Sequence, residues 1–192
     1  ILRLKTKLIS NGLYNNGDSL LSKEVYKTAA IDAPARTPGK KRLVWVMHSW
    51  VPNVRAGSEI TAEDQIKYLQ TKGWEVFVLV HRWVVPEYNG VKIYPIRVDS
   101  LLESKGIVKL FKSADILAVQ NFNVSKFINH VNEFNKPVVV FLHTQNDNRD
   151  ILNFRMGVPI YLVYNVNFLK LESNNAHPSI IIHPKVDTKP FK

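Results

Sequence analysis

From residue 42 onward the chain alternates short runs of β-branched and aromatic residues with helix-length amphipathic segments. Strand candidates fall at residues 43–48, 75–81, 91–96, 115–119, 138–143, 160–164 and 179–183. Most are nearly continuous apolar runs, the pattern of parallel strands covered on both faces, and they lack the alternation of a half-wet antiparallel sheet. The first helix is the clearest. Ser58 can N-cap it, Glu59 sits at the positive end of its dipole, and Ala62, Ile66 and Leu69 make one apolar face. Glu63 and Lys67 stand four apart for pairing, and Gly73 ends the helix. Further helices are expected at 101–112, 124–135, 146–155 and 166–172. Alternating elements with short connections imply right-handed crossovers. The expected fold is therefore α/β, a Rossmann-like doubly wound, mostly parallel sheet of about six or seven strands.

The first 41 residues read differently. They hold turn-like Asn11-Gly12 and Asn15-Asn16-Gly17-Asp18, a helix-compatible stretch at 20–30, and a Pro- and Gly-containing run at 33–41 with linker composition. The chain thus divides into a basic extension and linker at 1–41 and a Rossmann-like domain at 42–192. The extension is either a solvated tail, packed loosely or partly disordered, or an arm that meets phosphate or anionic lipid.

Composition narrows the classes. With 192 residues, 45% of them hydrophobic and 22% charged, the chain can bury one ordinary core, which excludes a large multidomain enzyme and global disorder. The net charge of +10 favours an anionic partner: nucleic acid, a nucleotide or an acidic membrane surface. Half of that excess lies in residues 1–41, which carry eight Lys or Arg against three Asp or Glu. No cysteine occurs, so disulfides, thiolate zinc sites and thiol nucleophiles are out, and a reducing, cytoplasmic setting fits. No apolar run reaches membrane-spanning length and the amino end has no signal-peptide core, so the chain reads as soluble, with peripheral membrane contact left open. Its first residue is Ile1 and not Met, which suggests a processed product or an excised piece.

Ligands of doubly wound sheets bind at the carboxyl ends of the strands. After the first strand comes His48-Ser49-Trp50-Val51-Pro52-Asn53-Val54-Arg55-Ala56-Gly57-Ser58-Glu59, opening into the first helix. Small residues at a helix amino terminus let a phosphate or sugar oxygen approach backbone N–H groups. The alternative is purely structural, with Gly57 in a tight turn and Ser58 a cap. Neither G-x-G-x-x-G nor G-x-x-x-x-G-K-[ST] is present, so the common dinucleotide and P-loop readings fail. His143 ends the fifth strand candidate, where it can orient or deprotonate a hydroxyl or simply pack. His48 and His81 also follow strands, while His130, His177 and His183 are less well placed. No spacing suggests a metal site, and none is expected. Trp45, Trp50, Trp74 and Trp83 lie in or beside strands, which favours core packing over base stacking.

Four stretches together resemble the amino-terminal domain of GT-B fold glycosyltransferases, especially the retaining enzymes of family 4 (glycosyl transferases group 1). Ala56-Gly57-Ser58-Glu59, the helix, and Gly73-Trp74-Glu75-Val76-Phe77-Val78 resemble the family's "GG-small-Glu, helix, G-H-x-V-x-V" opening. Asp115-Ile116-Leu117-Ala118-Val119-Gln120, the run from Lys136 to His143, and His183-Pro184-Lys185-Val186-Asp187-Thr188-Lys189-Pro190-Phe191 are similar to later family motifs, in the family's order. Departures occur where the family has glycine or histidine: Ala56, Ala118, Gln120 and Lys185 stand there instead, and Asn165-Val166 replaces an Asn-Ser.

The resemblance implies an acceptor-side domain of an enzyme that moves a sugar from a nucleotide-sugar donor to a glycan, lipid or other hydroxyl acceptor, with no further cofactor. It implies that Trp50, Ala56, Gly57, Ser58, Glu59, Gln120 and Asn121 face substrate and that His143 is the catalytic or positioning group. It also implies that the second, donor-binding domain begins where this chain stops, at Lys192, so that activity needs that domain or a partner subunit. Two other readings stay open. One is a non-catalytic module whose basic surface holds a partner subunit, nucleic acid or an anionic membrane. The other is an unrelated flavodoxin-like or Rossmann binding protein, against which the missing glycine fingerprint counts.

Overall fold

The structure, a computed structural model, describes residues 33–52, 54–81, 85–120, 124–143, 159–164 and 177–182. The element order is β1 (Arg42–Met47), α1 (Gly57–Thr71), β2 (Glu75–Val80), β3 (Glu87–Tyr88), β4 (Val91–Pro95), α2 (Lys105–Ser113), β5 (Ile116–Gln120), α3 (Val124–Val131), β6 (Val138–Leu142), β7 (Ile160–Tyr164) and β8 (Ser179–Ile181). A 3-10 turn at Val98–Glu103 precedes α2, and another at Asn132–Phe134 follows α3.

The sheet has eight strands in the order β3-β4-β2-β1-β5-β6-β7-β8, all parallel to their neighbours except β3. Each of the seven expected strands is present to within two residues at either end. Counted along the chain without β3, the parallel strands run 3-2-1-4-5-6-7, so the order reverses between β1 and β5, the mark of a Rossmann-like doubly wound sheet. The two faces have separate cores. On one side α2 and α3 pack Ile107, Leu110, Phe111, Phe127, Ile128 and Val131 against alternate strand residues such as Val44, Leu79 and Val119. On the other, α1 lays Ala62 and Ile66 over Trp45, Met47, Val78 and Ala118. Continuous apolar runs are what burial on both faces demands.

The antiparallel strand β3 was not foreseen. It forms a hairpin with β4 through Asn89 (φ 50°) and Gly90 (φ 75°), two left-handed residues in a row, as a two-residue hairpin turn requires. Asn89 Nδ2 donates to Glu63 Oε1 at 2.8 Å, which ties the hairpin to α1. The foreseen Glu63–Lys67 pair also forms, at 2.8 Å. The helices expected at 146–155 and 166–172 lie outside the described residues.

At the amino ends of the strands, Arg42 is a buried hub. Its guanidinium donates to Glu75 Oε2 from Nε (3.1 Å) and Nη2 (2.9 Å), to the Pro34 and Ala35 carbonyls (3.1 Å each) and to Ser113 Oγ (2.9 Å). All five N–H groups are thereby used. The backbone N–H of Arg42 donates to Asp115 Oδ2 at 2.7 Å, and Arg36 pairs with the same oxygen at 2.5 Å. Burial pushes the Glu75 carboxyl up, but hydrogen bonds from Thr37 and Arg42 outweigh it and hold Glu75 below its ordinary range. The same balance, with Arg36 and the Arg42 N–H as donors, lowers Asp115. Residues 34–36 are therefore fastened to β1, β2 and the end of α2, although their composition is that of a linker.

Candidate functional site

The crevice to inspect lies at the carboxyl ends of β1 and β5, where the strand order reverses. Met47 and Gln120 are partners in that register, and the chain leaving β1 turns into the first turn of α1. Ala56 is the N-cap in extended conformation (φ −94°, ψ 169°), and no side chain caps the helix. This corrects the expectation for Ser58. Its hydroxyl does not cap but donates to Glu59 Oε2 at 2.7 Å. Glu59, buried to 4% exposure, also accepts from Ser49 Oγ at 2.7 Å on its other oxygen. Gln120, equally buried, donates from Nε2 to the Ser58 carbonyl at 2.9 Å.

Two strand ends thus grip one helical turn: Ser49 from β1 through Glu59, and Gln120 from β5 through Ser58. The carboxylate of Glu59 lies in the first turn, where negative charge complements the helix dipole. The turn is fixed from behind while Ala56 and Gly57 remain exposed in front. Gly57 has no positive φ, and a Cβ built there meets nothing within 4 Å. Neither turn geometry nor crowding by the described neighbours calls for glycine at 57.

The remaining candidates are distributed along the same edge. Trp50 is buried to 2% exposure in the α1-side core, so its indole supports the loop from inside. His143 follows β6, half-buried and in register with Phe141, whose side faces α1. His48 and His81 follow adjacent strands and stack with ring centroids 5.5 Å apart, in register with Val46 and Leu79 on the opposite side of the sheet. One strand, β5, separates β1 from β6 in the sheet, so His143 stands roughly 10 Å from the β1 exit by strand spacing. Asn121 lies outside the described residues. The structure therefore brings Ser49, Ser58, Glu59 and Gln120 together, and sets His143 apart as a separate group on the same rim. Ser49 was missed, since nothing local in the sequence distinguishes it from its neighbours.

A cavity of about 540 Å³ runs along α1 on this face of the sheet, with Trp45, Tyr68, Trp74 and Phe141 among its walls and Thr61 and Asp64 as polar lining. Among the described residues no group of three or more His, Asp or Glu side chains is arranged to hold a metal ion. No helix among them is long and apolar enough to cross a membrane.

No family model and no curated protein matches the chain. Among solved structures it is similar to a crystal structure from Bacteroides thetaiotaomicron provisionally described as an epimerase, at 12% identity and a TM-score of 0.46, covering 65% of this chain and 70% of that one.

Proposed function

We propose that this chain is the acceptor-side domain of a nucleotide-sugar-dependent glycosyltransferase of the GT-B type, working with a donor-binding domain in a cytoplasmic setting. The observation that carries this reading is Gly57. It is exposed at the amino end of α1, on a turn braced by Gln120 and Ser49, at a place where the described surroundings require no glycine. A missing side chain there leaves room for a ligand to reach the first N–H groups of the helix, which suit a phosphate oxygen. The sequence resemblance points to the same loop.

In the reaction, the bond between the donor's anomeric carbon and its phosphate oxygen breaks. The acceptor hydroxyl oxygen bonds to that carbon, and the hydroxyl proton leaves with the nucleoside diphosphate. The braced first turn of α1 stabilises the charge that develops on the departing phosphate. His143, on the rim, hydrogen-bonds and orients the acceptor or the sugar.

The test is Gly57→Trp. Because a side chain at 57 projects into open space, the variant should keep its fold and Tm. Nucleotide-sugars should give saturation-transfer NMR signals with the unaltered chain and lose them with the variant. Equal signals from both, or none from the unaltered chain across a panel of uridine, guanosine and adenosine diphosphate sugars, would overturn the assignment.

A further inference from the structure

The face of the molecule opposite α1 carries a charge pattern that the crevice does not use. Helix α2 contains three charged residues, Lys105, Lys109 and Lys112, and all three are exposed. Spaced i, i+4 and i+7, they form one row about 10 Å long on the outer side of the helix. The inner side is the apolar stripe Ile107, Leu110 and Phe111. None of the three lysines has an ion-pair partner among the described residues. Helix α1, by contrast, carries Glu59, Glu63 and Asp64, and Lys67 is paired with Glu63. Lys105 stands in the first turn of α2, the positive end of the dipole, where an acid is preferred. That placement works against the isolated helix, and an anion close by relieves it. Lys126 on α3 is offset by Glu103 and Glu133, so the positive charge of this side comes from the α2 row.

We propose that the α2 face docks on an anionic lipid surface through the row Lys105, Lys109 and Lys112. The row is made of lysine alone, without the arginine forks that read phosphates or bases two atoms at a time. It lies along the outer side of a helix packed flat against the sheet, a broad surface and not a projecting element. The exposed large hydrophobics of the described residues, Ile60, Tyr68, Tyr161, Ile180 and Ile182, belong to α1 or to the alternation that faces α1, leaving none beside the row to stack on a base. Point charges in a shallow line match a plane of diffuse negative charge. With no apolar anchor beside the row, binding is electrostatic and reversible.

The experiment is co-sedimentation of the full chain with vesicles of pure phosphatidylcholine and of phosphatidylcholine containing about a third phosphatidylserine. Binding should appear only with phosphatidylserine and should be lost at high salt. The double variant Lys109→Gln/Lys112→Gln should bind ten- to thirtyfold more weakly, at about fivefold per lysine. The charge-matched double variant Lys67→Gln/Lys72→Gln, on α1 and at its carboxyl end, should change binding less than threefold, with circular dichroism confirming that both fold. Equal losses in the two variants would mean that net charge alone acts and would overturn the proposal. So would absence of binding to the phosphatidylserine vesicles, unchanged binding by the α2 variant, or tighter binding to duplex DNA than to vesicles at the same ionic strength.

Discussion

The side-chain amide of Gln120 donates a hydrogen bond to the carbonyl of Ser58, 2.9 Å away and 62 residues earlier in the chain. It joins the end of β5 to the first turn of α1 across the point where the sheet reverses its strand order. Ser49 and Glu59 make the matching link from β1. The position of that turn is thus set by tertiary bonds, and each can be removed separately.

Gln120→Leu should keep the shape of the side chain while deleting the donor. The expected loss is about 1 kcal/mol, the net worth of one hydrogen bond to a carbonyl that α1 also engages in its own ladder. Urea unfolding would show it as a lower midpoint at unchanged slope. Amide hydrogen exchange should quicken in the first turn of α1 and much less in its last. Uniform quickening along the helix would mean that the bond serves general stability and does not position the turn.

Glu59→Ala should be the costlier change. It leaves the Ser49 and Ser58 hydroxyls without their acceptor and opens a gap in a buried site, for an expected loss of about 3 kcal/mol. Ser49→Ala should cost about 1 kcal/mol. In the double variant the two losses should fall short of their sum, because both delete the same bond. Strict additivity in urea unfolding would show that Ser49 and Glu59 do not interact.

The Arg42 hub predicts a pH dependence. Glu75 and Asp115 are both held below their ordinary values of 4.5 and 3.8, so across that range the folded protein binds fewer protons than the unfolded chain. Their contribution to stability is complete above about pH 5 and is lost as the pH falls through the folded values. Arg42→Met should flatten this acid limb in a plot of Tm against pH. It should also cost about 3 kcal/mol at neutral pH, since it removes one partner of a buried pair. Arg42→Lys should recover little, because an ammonium cannot serve the acceptors on Pro34, Ala35, Ser113 and Glu75 together. An unchanged acid limb in Arg42→Met would show that Glu75 is held low by Thr37 and its other surroundings.

The hairpin offers a test confined to the backbone. Gly90→Ala places a Cβ at φ 75° with nothing near it to clash, so the cost is that of the left-handed conformation alone, about 1 kcal/mol. Asn89→Ala loses in addition the bond to Glu63 and should cost more. If urea unfolding ranks the two variants the other way, the Asn89–Glu63 link contributes nothing.

The parallel strands were legible because burial on both faces leaves few polar positions to obscure the pattern. The run at 160–164 coincides with β7 at both ends. Strand β3 was not legible, being two residues long with Pro86 before it, though Asn89-Gly90 was a usable turn signal. The segment expected as one helix at 101–112 divides into a 3-10 turn and α2. The division falls at Ser104, whose hydroxyl accepts from the Ile107 N–H at 3.4 Å, a cap visible in the sequence once the break is suspected. The loop after β1 could be identified as the place to look because helix entry and strand exit are local patterns. Its bracing could not be read. Ser58 looked like a cap since serine before an acidic residue often is one, but its hydroxyl turns to the adjoining Glu59, which Ser49 holds, and its carbonyl takes the Gln120 amide that the sheet brings close. A bond between residues 62 apart leaves no periodic trace.

The central place of β1 in the sheet has a consequence for the order of synthesis. Of the described strands it is the first to be made, yet it pairs on one side with β2 and on the other with β5, which begins about seventy residues later. A ribosome adding about 5–20 residues per second leaves that second edge bare for roughly 4–14 s. During that interval the run Leu43-Val44-Trp45-Val46-Met47 can find other strands to pair with, in neighbouring nascent chains above all. The strand that ends as the most enclosed in the sheet begins as its most adhesive part.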